Sequence, residues 1–287
     1  MKKNLYNLKY YLEMHVPDLA FISEPMTFQC DLWHHMEYLK GEYCVSLNSE
    51  DLHNPDTPLV SSRAKGGTLI LWRKHLDPFI TIHITDTSSF LPIILELPNC
   101  TVSIHIALYL PTAGKDSQYI AELSKLGTTM DDLSIKFPSS IIFIRGDANA
   151  SEKNSFRRIL FSNFCKDYNL TRTRIDHRTY HHFLGGGQSD SDLDVLLFST
   201  LPGVHEDLVT IHCKLSEPAV DSCHDILVST ASIPFKAKKL LDKSKNIVAP
   251  RIENFRQKVI WSDRGILQYQ KVTSQLLPQL RDRWQAE

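Results

Sequence analysis

Two short apolar runs, "LPIILEL" (91–97) and "TVSIHIALYLP" (101–111), stand only "PNC" apart. Runs of this length read as strands, and so short a connection makes them a hairpin-like pair. The next run, "SIIFIRGD" (140–147), lies beyond Ile120, Leu123, Met130 and Leu133, whose spacing supports a helix over roughly 117–134. Hairpins therefore alternate with crossovers in one chain. The sheets should be mixed rather than purely parallel, with helices laid against them.

The rest of the chain follows the same grammar. Leu5, Leu8 and Leu12 recur at helical spacing until "HVPD" ends the pattern at Pro17. "DLAFISEP" then reads as a short strand delivering Glu24 at its end, and "YCVSL" (43–47) as another. Residues 48–66 read as a loop, followed by the strand "GGTLILW" (66–72). Phe156, Ile159, Leu160 and Phe164 mark a second helix, and "LDVLLFS" (193–199) and "DILVS" (225–229) are late strands. "LGGGQSD" (184–190) has three glycines but no lysine at P-loop spacing, so it reads as a flexible loop before a strand.

The charge balance changes near residue 235. Residues 236–287 carry 12 Lys/Arg against 5 Asp/Glu, whereas residues 1–235 carry 20 against 28. The expectation is an acidic body, 1–235, suited to binding a cation, followed by a basic helical linker, 236–287. A formal net charge of −1 gives no global argument for nucleic acid. The six cysteines are scattered without zinc spacing and read as reduced thiols of an intracellular protein. No apolar run reaches the length of a membrane span.

Chemistry gathers at the strand ends. Glu24 follows "AFIS", Tyr109 lies in "ALYLP", Asp147 and Asn149 follow "IIFIRG", Asp194 opens "LDVLLF" and His224 precedes "DILVS". Each alone is ordinary, since Asp, Asn and Gly follow strands to make turns. Residues two apart on an extended segment face one side, so Asp147 and Asn149 can point into one site. There is no serine or cysteine nucleophile with a local signature. "HRTYHHF" (177–183) supplies Arg178, His181 and His182 as phosphate-facing or structural residues near the site.

Taken in order, "FISEP", "ALYLP", "RGDANA", "SDLDVLL" and "SCHDI" resemble the endonuclease/exonuclease/phosphatase superfamily. The best resemblance is to the apurinic/apyrimidinic-endonuclease-like domain of non-LTR retrotransposon polyproteins. "TYHHFLGGGQSDSDLDVLLFS" and the tail "WSDRGILQYQKVTSQLLPQLRDRW" are like that group, the tail resembling the segment before reverse transcriptase. The fold implied is α/β, two mixed sheets packed as a sandwich with flanking helices, deoxyribonuclease I-like.

The resemblance also implies roles. Glu24 matches the metal-ligand glutamate, for Mg²⁺ or alternatively Mn²⁺. Tyr109 matches the tyrosine on the scissile phosphate. Asp147 matches the aspartate that orients or deprotonates water, and Asn149 the asparagine that hydrogen-bonds the phosphate or the nucleophile. Asp194 matches the aspartate that orients the histidine, and His224 that histidine, which stabilises charge at the phosphate or serves as base. Two departures go with it. The family's opening strand, with its asparagine, has no counterpart before the first helix. Cys223 stands where many members carry an aspartate, and thiols are poor Mg²⁺ ligands, so Asp221 is the expected substitute.

The implied function is Mg²⁺-dependent nicking of DNA to leave a 3′-hydroxyl primer, in a nuclear protein joined to a reverse transcriptase domain in a longer polyprotein. The alternatives are a catalytically impaired remnant or nucleic-acid-binding module, and a phosphatase acting on a small phosphoester.

Overall fold

A computed structural model describes residues 2–32, 41–53, 66–98, 100–151, 155–173, 180–184, 187–191, 193–199, 211–218 and 224–231. All belong to one unit, Met1–Lys238. The expected basic linker, 236–287, lies outside the described residues, as do Arg178, Asp221 and Cys223.

The pair anticipated around "PNC" is antiparallel: β5 (Phe90–Leu95) runs against β6 (Ser103–Tyr109). From β6 the chain crosses through the long helix Asp116–Lys136 to β7 (Ile141–Asp147), which lies parallel to β6. Parallel neighbours need such a crossover, because the chain must return to the same end of the sheet. These strands form the middle of a six-stranded mixed sheet ordered β4-β5-β6-β7-β11-β8, completed by β4 (Ile80–Ile82), β8 (Leu170–Arg172) and β11 (Asp194–Ser199). A second, antiparallel sheet is ordered β1-β3-β2, from β1 (Leu19–Ser23), β2 (Tyr43–Asn48) and β3 (Thr68–Arg73).

Alternation along the strands builds the layers. On β3, Ile70 and Trp72 pack with Leu91, Ile93, Leu95 and Ala107 between the two sheets. Leu69 and Leu71 face the other way, onto Leu12 of the helix Lys2–His15. On β6 and β7, Ile104, Ile106, Leu108, Ile142 and Ile144 meet Leu123, Leu126, Met130 and Leu133 of the crossover helix and Phe161 and Phe164 of the helix Ser155–Asp167. Burial on both faces explains why these strands read as continuous apolar runs. The result is a two-sheet sandwich with helices on its outer faces.

Three details correct the sequence reading. Ile120, Phe156 and Ile159, used as core markers of the two helices, are 46%, 47% and 56% exposed. In the second helix a charged residue takes the inward place: Arg157 is fully buried, its Nε on Asp116 at 2.7 Å and its Nη1 and Nη2 on the carbonyls of Pro111 and Thr112. Counting apolar residues alone misses a buried cation whose donors are met. Finally, the described residues of "LGGGQSD", Leu184 and 187–190, lie in strands rather than in a loop. Strands β9 (Tyr180–Leu184) and β10 (Gly187–Ser191) form an antiparallel ribbon in which Leu184 and Gly187 are register partners. A glycine pair between two runs is a hairpin signal in a sequence, but the polar β10 lacks the apolar alternation by which a strand is recognised. A further ribbon joins β12 (Ile211–Pro218) to β13 (Asp225–Ala231).

Candidate active site

Strand register places the polar ends together. Tyr109 is the parallel partner of Asp147, and Asp147 is the antiparallel partner of Asp194. Three adjoining strands thus present three side chains at one end of the larger sheet. β1 lies against β6 and β7, and Glu24 follows its last residue. His224 immediately precedes β13 and reaches Asp194, with Nδ1 at 3.0 Å and 3.2 Å from the two carboxylate oxygens.

Asp147 is the centre of this group. It is 4% exposed, and Asn149 holds it from two sides. The Asn149 backbone N–H donates to Asp147 Oδ1 at 2.8 Å and its side-chain amide donates to Oδ2 at 3.1 Å. The same amide donates to the Leu110 carbonyl at 2.8 Å, which fixes its rotamer. Asn149 has φ +48°, a left-handed conformation that asparagine tolerates better than most residues. Glu24 also has a positive φ, +51°, and glutamate has no such tolerance. Local strain of this kind, about 1–2 kcal/mol, persists only where surrounding structure enforces it, and functional sites are where it gathers.

The electrostatics follow from burial and crowding. Burial raises the Asp147 pKa to about 7, assisted by the charges of Asp194 and Glu24 and opposed by His224 and the Asn149 hydrogen bond. Burial alone would lower His224, but the hydrogen bond and charge of Asp194, with Asp147 and Glu24 behind them, carry its pKa upward. Burial raises the Tyr109 hydroxyl, with Glu24 beside it as charge and hydrogen-bond acceptor, so the phenol stays protonated. The site therefore pairs a carboxyl that titrates near neutrality with an imidazole biased towards its cation.

Three contributors were not singled out from the sequence. Ser23 bridges Asp147 and Leu108 across the two sheets. Tyr180 forms a bridge with His224 and sets its ring edge-on at 4.8 Å between centroids. Gly66, at φ +61°, lies where a Cβ would stand 3.4 Å from the Tyr109 ring. Only Tyr180 carried any signal, as an aromatic amid histidines. His181 and His182 fall on β9, but their side chains lie outside the described residues.

For a metal, the donor chemistry is suitable but sparse. Among the described residues no group of three or more His, Cys, Asp or Glu side chains is arranged to hold one. Mg²⁺ commonly needs only one or two carboxylates, the remaining positions going to water and substrate phosphate. Glu24, with the surplus carboxylate charge around Asp147, fits that kind of site.

No protein-family model and no curated protein sequence matches the chain. Solved structures do match. The endonuclease domain of TRAS1, a telomere-specific non-LTR retrotransposon, superposes with a TM-score of 0.58 at 15% identity, over 80% of this chain and 93% of that one. An endonuclease/exonuclease/phosphatase family protein from Leptotrichia buccalis gives 0.56 at 12% identity, over 82% and 94%. TDP2 of D. rerio, complexed with single-strand DNA product, gives 0.51 at 14% identity, over 80% and 91%. Identities this low speak to backbone architecture: the chain has the endonuclease/exonuclease/phosphatase fold, a deoxyribonuclease I-like α/β sandwich.

Proposed function

We propose that this protein is a Mg²⁺-dependent phosphodiesterase that nicks DNA. The observation that carries the reading is the meeting of the Asn149-held Asp147 with the Asp194–His224 pair at one end of the sandwich. Neighbours of the same fold include a retrotransposon endonuclease domain and a protein holding a single-strand DNA product, which supports DNA as the substrate class.

The chemistry is hydrolysis. A water oxygen bonds to phosphorus and gives up a proton as the bond to the 3′ oxygen breaks; the phosphate stays on the 5′ oxygen, and the 3′ oxygen takes a proton from solvent water to leave as a 3′-hydroxyl. Asp147, with a pKa near 7, is suited to orient the water and receive its proton. Asn149 keeps the carboxylate aimed. Asp194 makes Nδ1 of His224 the donor on its side and so directs Nε2 to the phosphate, where a cationic ring stabilises oxyanion charge. Tyr109 brings a protonated phenol as a further donor. Glu24, and Asp221 from the sequence, would hold Mg²⁺, which when bound supplies charge neutralisation on phosphate oxygens. A retroelement setting, with a reverse transcriptase domain using the 3′-hydroxyl as primer in the nucleus, extends the same reading.

Conversion of supercoiled plasmid to open circle with Mg²⁺ or with EDTA is the test, run beside a panel of phosphomonoesters. Nicking that requires the metal and falls by about 10²–10⁴ in Asp147→Ala and His224→Ala is expected. Absence of nicking from well-folded protein overturns the enzyme reading. Turnover of phosphomonoesters alone transfers it to a phosphatase.

A further inference from the structure

Ser23 ends β1 and immediately precedes Glu24. Its hydroxyl donates to the Leu108 carbonyl at 2.8 Å and accepts the backbone N–H of Asp147 at 3.2 Å. These partners lie 85 and 124 residues away in sequence, on β6 and β7 of the opposite sheet. A serine in a strand usually bonds to solvent or to its own backbone neighbourhood. This one instead joins the two layers of the sandwich at the end where the site lies.

Gly146 makes the room. It has φ +138°, and a Cβ built there would stand 2.0 Å from the Leu108 carbonyl oxygen and 2.7 Å from Ser23 Oγ. Any side chain at that position would expel the hydroxyl or push β6 from β7. Glycine is thus required for close approach of three chain segments, and the serine hydroxyl occupies the space it leaves. Two polar backbone groups turned towards that space, a carbonyl and an N–H, both find their partner in the one hydroxyl, which can donate and accept at once.

We propose that Ser23 is a positioning residue, whose hydroxyl locks the strand end carrying Glu24 against the strand end carrying Asp147. The two carboxylates come from different sheets, and sheet-on-sheet packing of apolar side chains is non-directional. A directional hydrogen-bond pair next to both carboxylates fixes their spacing where packing alone leaves it free to slide. Glu24 depends on this doubly: its left-handed backbone turns the chain directly after the clamp, so the clamp sets where that turn begins. The effect on turnover rests on the nuclease reading above; the clamp itself does not.

The test compares Ser23→Ala, Ser23→Thr and Ser23→Val. Threonine and valine share a shape and differ in the hydroxyl, which separates loss of the hydrogen bonds from a change in volume. Amide hydrogen exchange at Asp147 is expected to rise about tenfold in the alanine and valine variants, with Ile142 to Ile144 unchanged and the threonine variant like wild type. In plasmid nicking, kcat should fall about tenfold in the same two variants while KM for DNA stays within about twofold, because positioning is lost rather than binding. Unchanged exchange at Asp147, or a rise spread evenly along β7, overturns the clamp. Raised exchange with undiminished kcat overturns its role in positioning. A wild-type protein that does not nick, yet shows the local exchange change on substitution, leaves the clamp standing and removes the nuclease reading instead.

Discussion

Asp147 and Asp194 are register partners at the paired ends of two antiparallel strands, so two carboxylates share one end of the sheet with the His224 imidazole beside them. Such a pair is costly unless one member takes a proton or a cation is at hand.

That cost is measurable as stability. The Asp147 pKa rises from 3.8 to about 7, chiefly through burial. A carboxyl whose folded pKa lies above its unfolded one contributes stability that is full below the unfolded value and lost as pH rises through the folded value. Asp147→Asn removes the charge and, despite giving up one acceptor for Asn149, should melt higher than wild type in Mg²⁺-free buffer at pH 8, by on the order of 5 °C. At pH 5 the difference should shrink. Thermal melts at the two pH values check this, and a variant less stable than wild type at pH 8 contradicts it.

Asp194→Asn keeps the shape of the His224 partner and removes its charge. Asp194 raises the His224 pKa by hydrogen bond and by charge, against the pull of burial. If the cationic ring serves the phosphate, activity declines as pH rises through that pKa. The asparagine variant should therefore lose about 10²–10⁴ in kcat and begin its alkaline decline at lower pH. A pH–rate profile in Mg²⁺ reads both effects.

Asn149 sits at φ +48°, so its replacements sort by backbone as well as by side chain. Asn149→Gly and Asn149→Ala lose the same hydrogen bonds to Asp147 and Leu110. Alanine alone must adopt an unfavourable left-handed backbone, and should be less stable than glycine by about 1 kcal/mol. Urea denaturation midpoints compare them directly, and nicking should fall in both.

His105 predicts sensitivity to acid. It is 3% exposed, stacked on Phe143 at 4.9 Å, and accepts Arg145 Nη1 on its Nδ1 at 3.0 Å, a geometry open only to the neutral ring. Burial, then the Arg145 charge, holds its pKa well below 6.5. With the folded value depressed, the unfolded chain takes up the proton first. Stability is thus full above about pH 6.5 and is lost as pH falls from there towards the folded pKa. Unfolding free energy measured from pH 7.5 to 5 should decline, and His105→Gln should flatten that slope even if it lowers the absolute value.

The alternation of strands and crossovers was legible because strands buried on both faces are apolar throughout, and Ile104, Ile106, Ile142 and Ile144 are such residues. Asp147, Asn149, Asp194 and His224 were ordinary one by one; it was their order at successive strand ends, and the family resemblance that order carried, that singled them out. Ser23 could not be singled out: a serine at a strand end has no pattern, and its meaning lies in two backbone atoms supplied by distant strands. Arg157 was hidden for the opposite reason, since a charge on a helix reads as solvent-facing until its acceptors are known. The β9–β10 ribbon was missed because glycine and polar residues carry hairpins as well as loops, and only pairing distinguishes them.

The order in which the site's parts leave the ribosome has a consequence of its own. Glu24 comes from β1, Tyr109 and Asp147 from the middle of the chain, and His224 from the threshold of β13. No contiguous stretch holds a working subset, because Asp147 needs Asp194 and His224 across pairings of long sequence separation. The proposed site is therefore incomplete until His224 has been synthesised. If the proposed nuclease reading holds, its substrate is safe from it during synthesis, and any fragment ending before residue 224 should show no nicking.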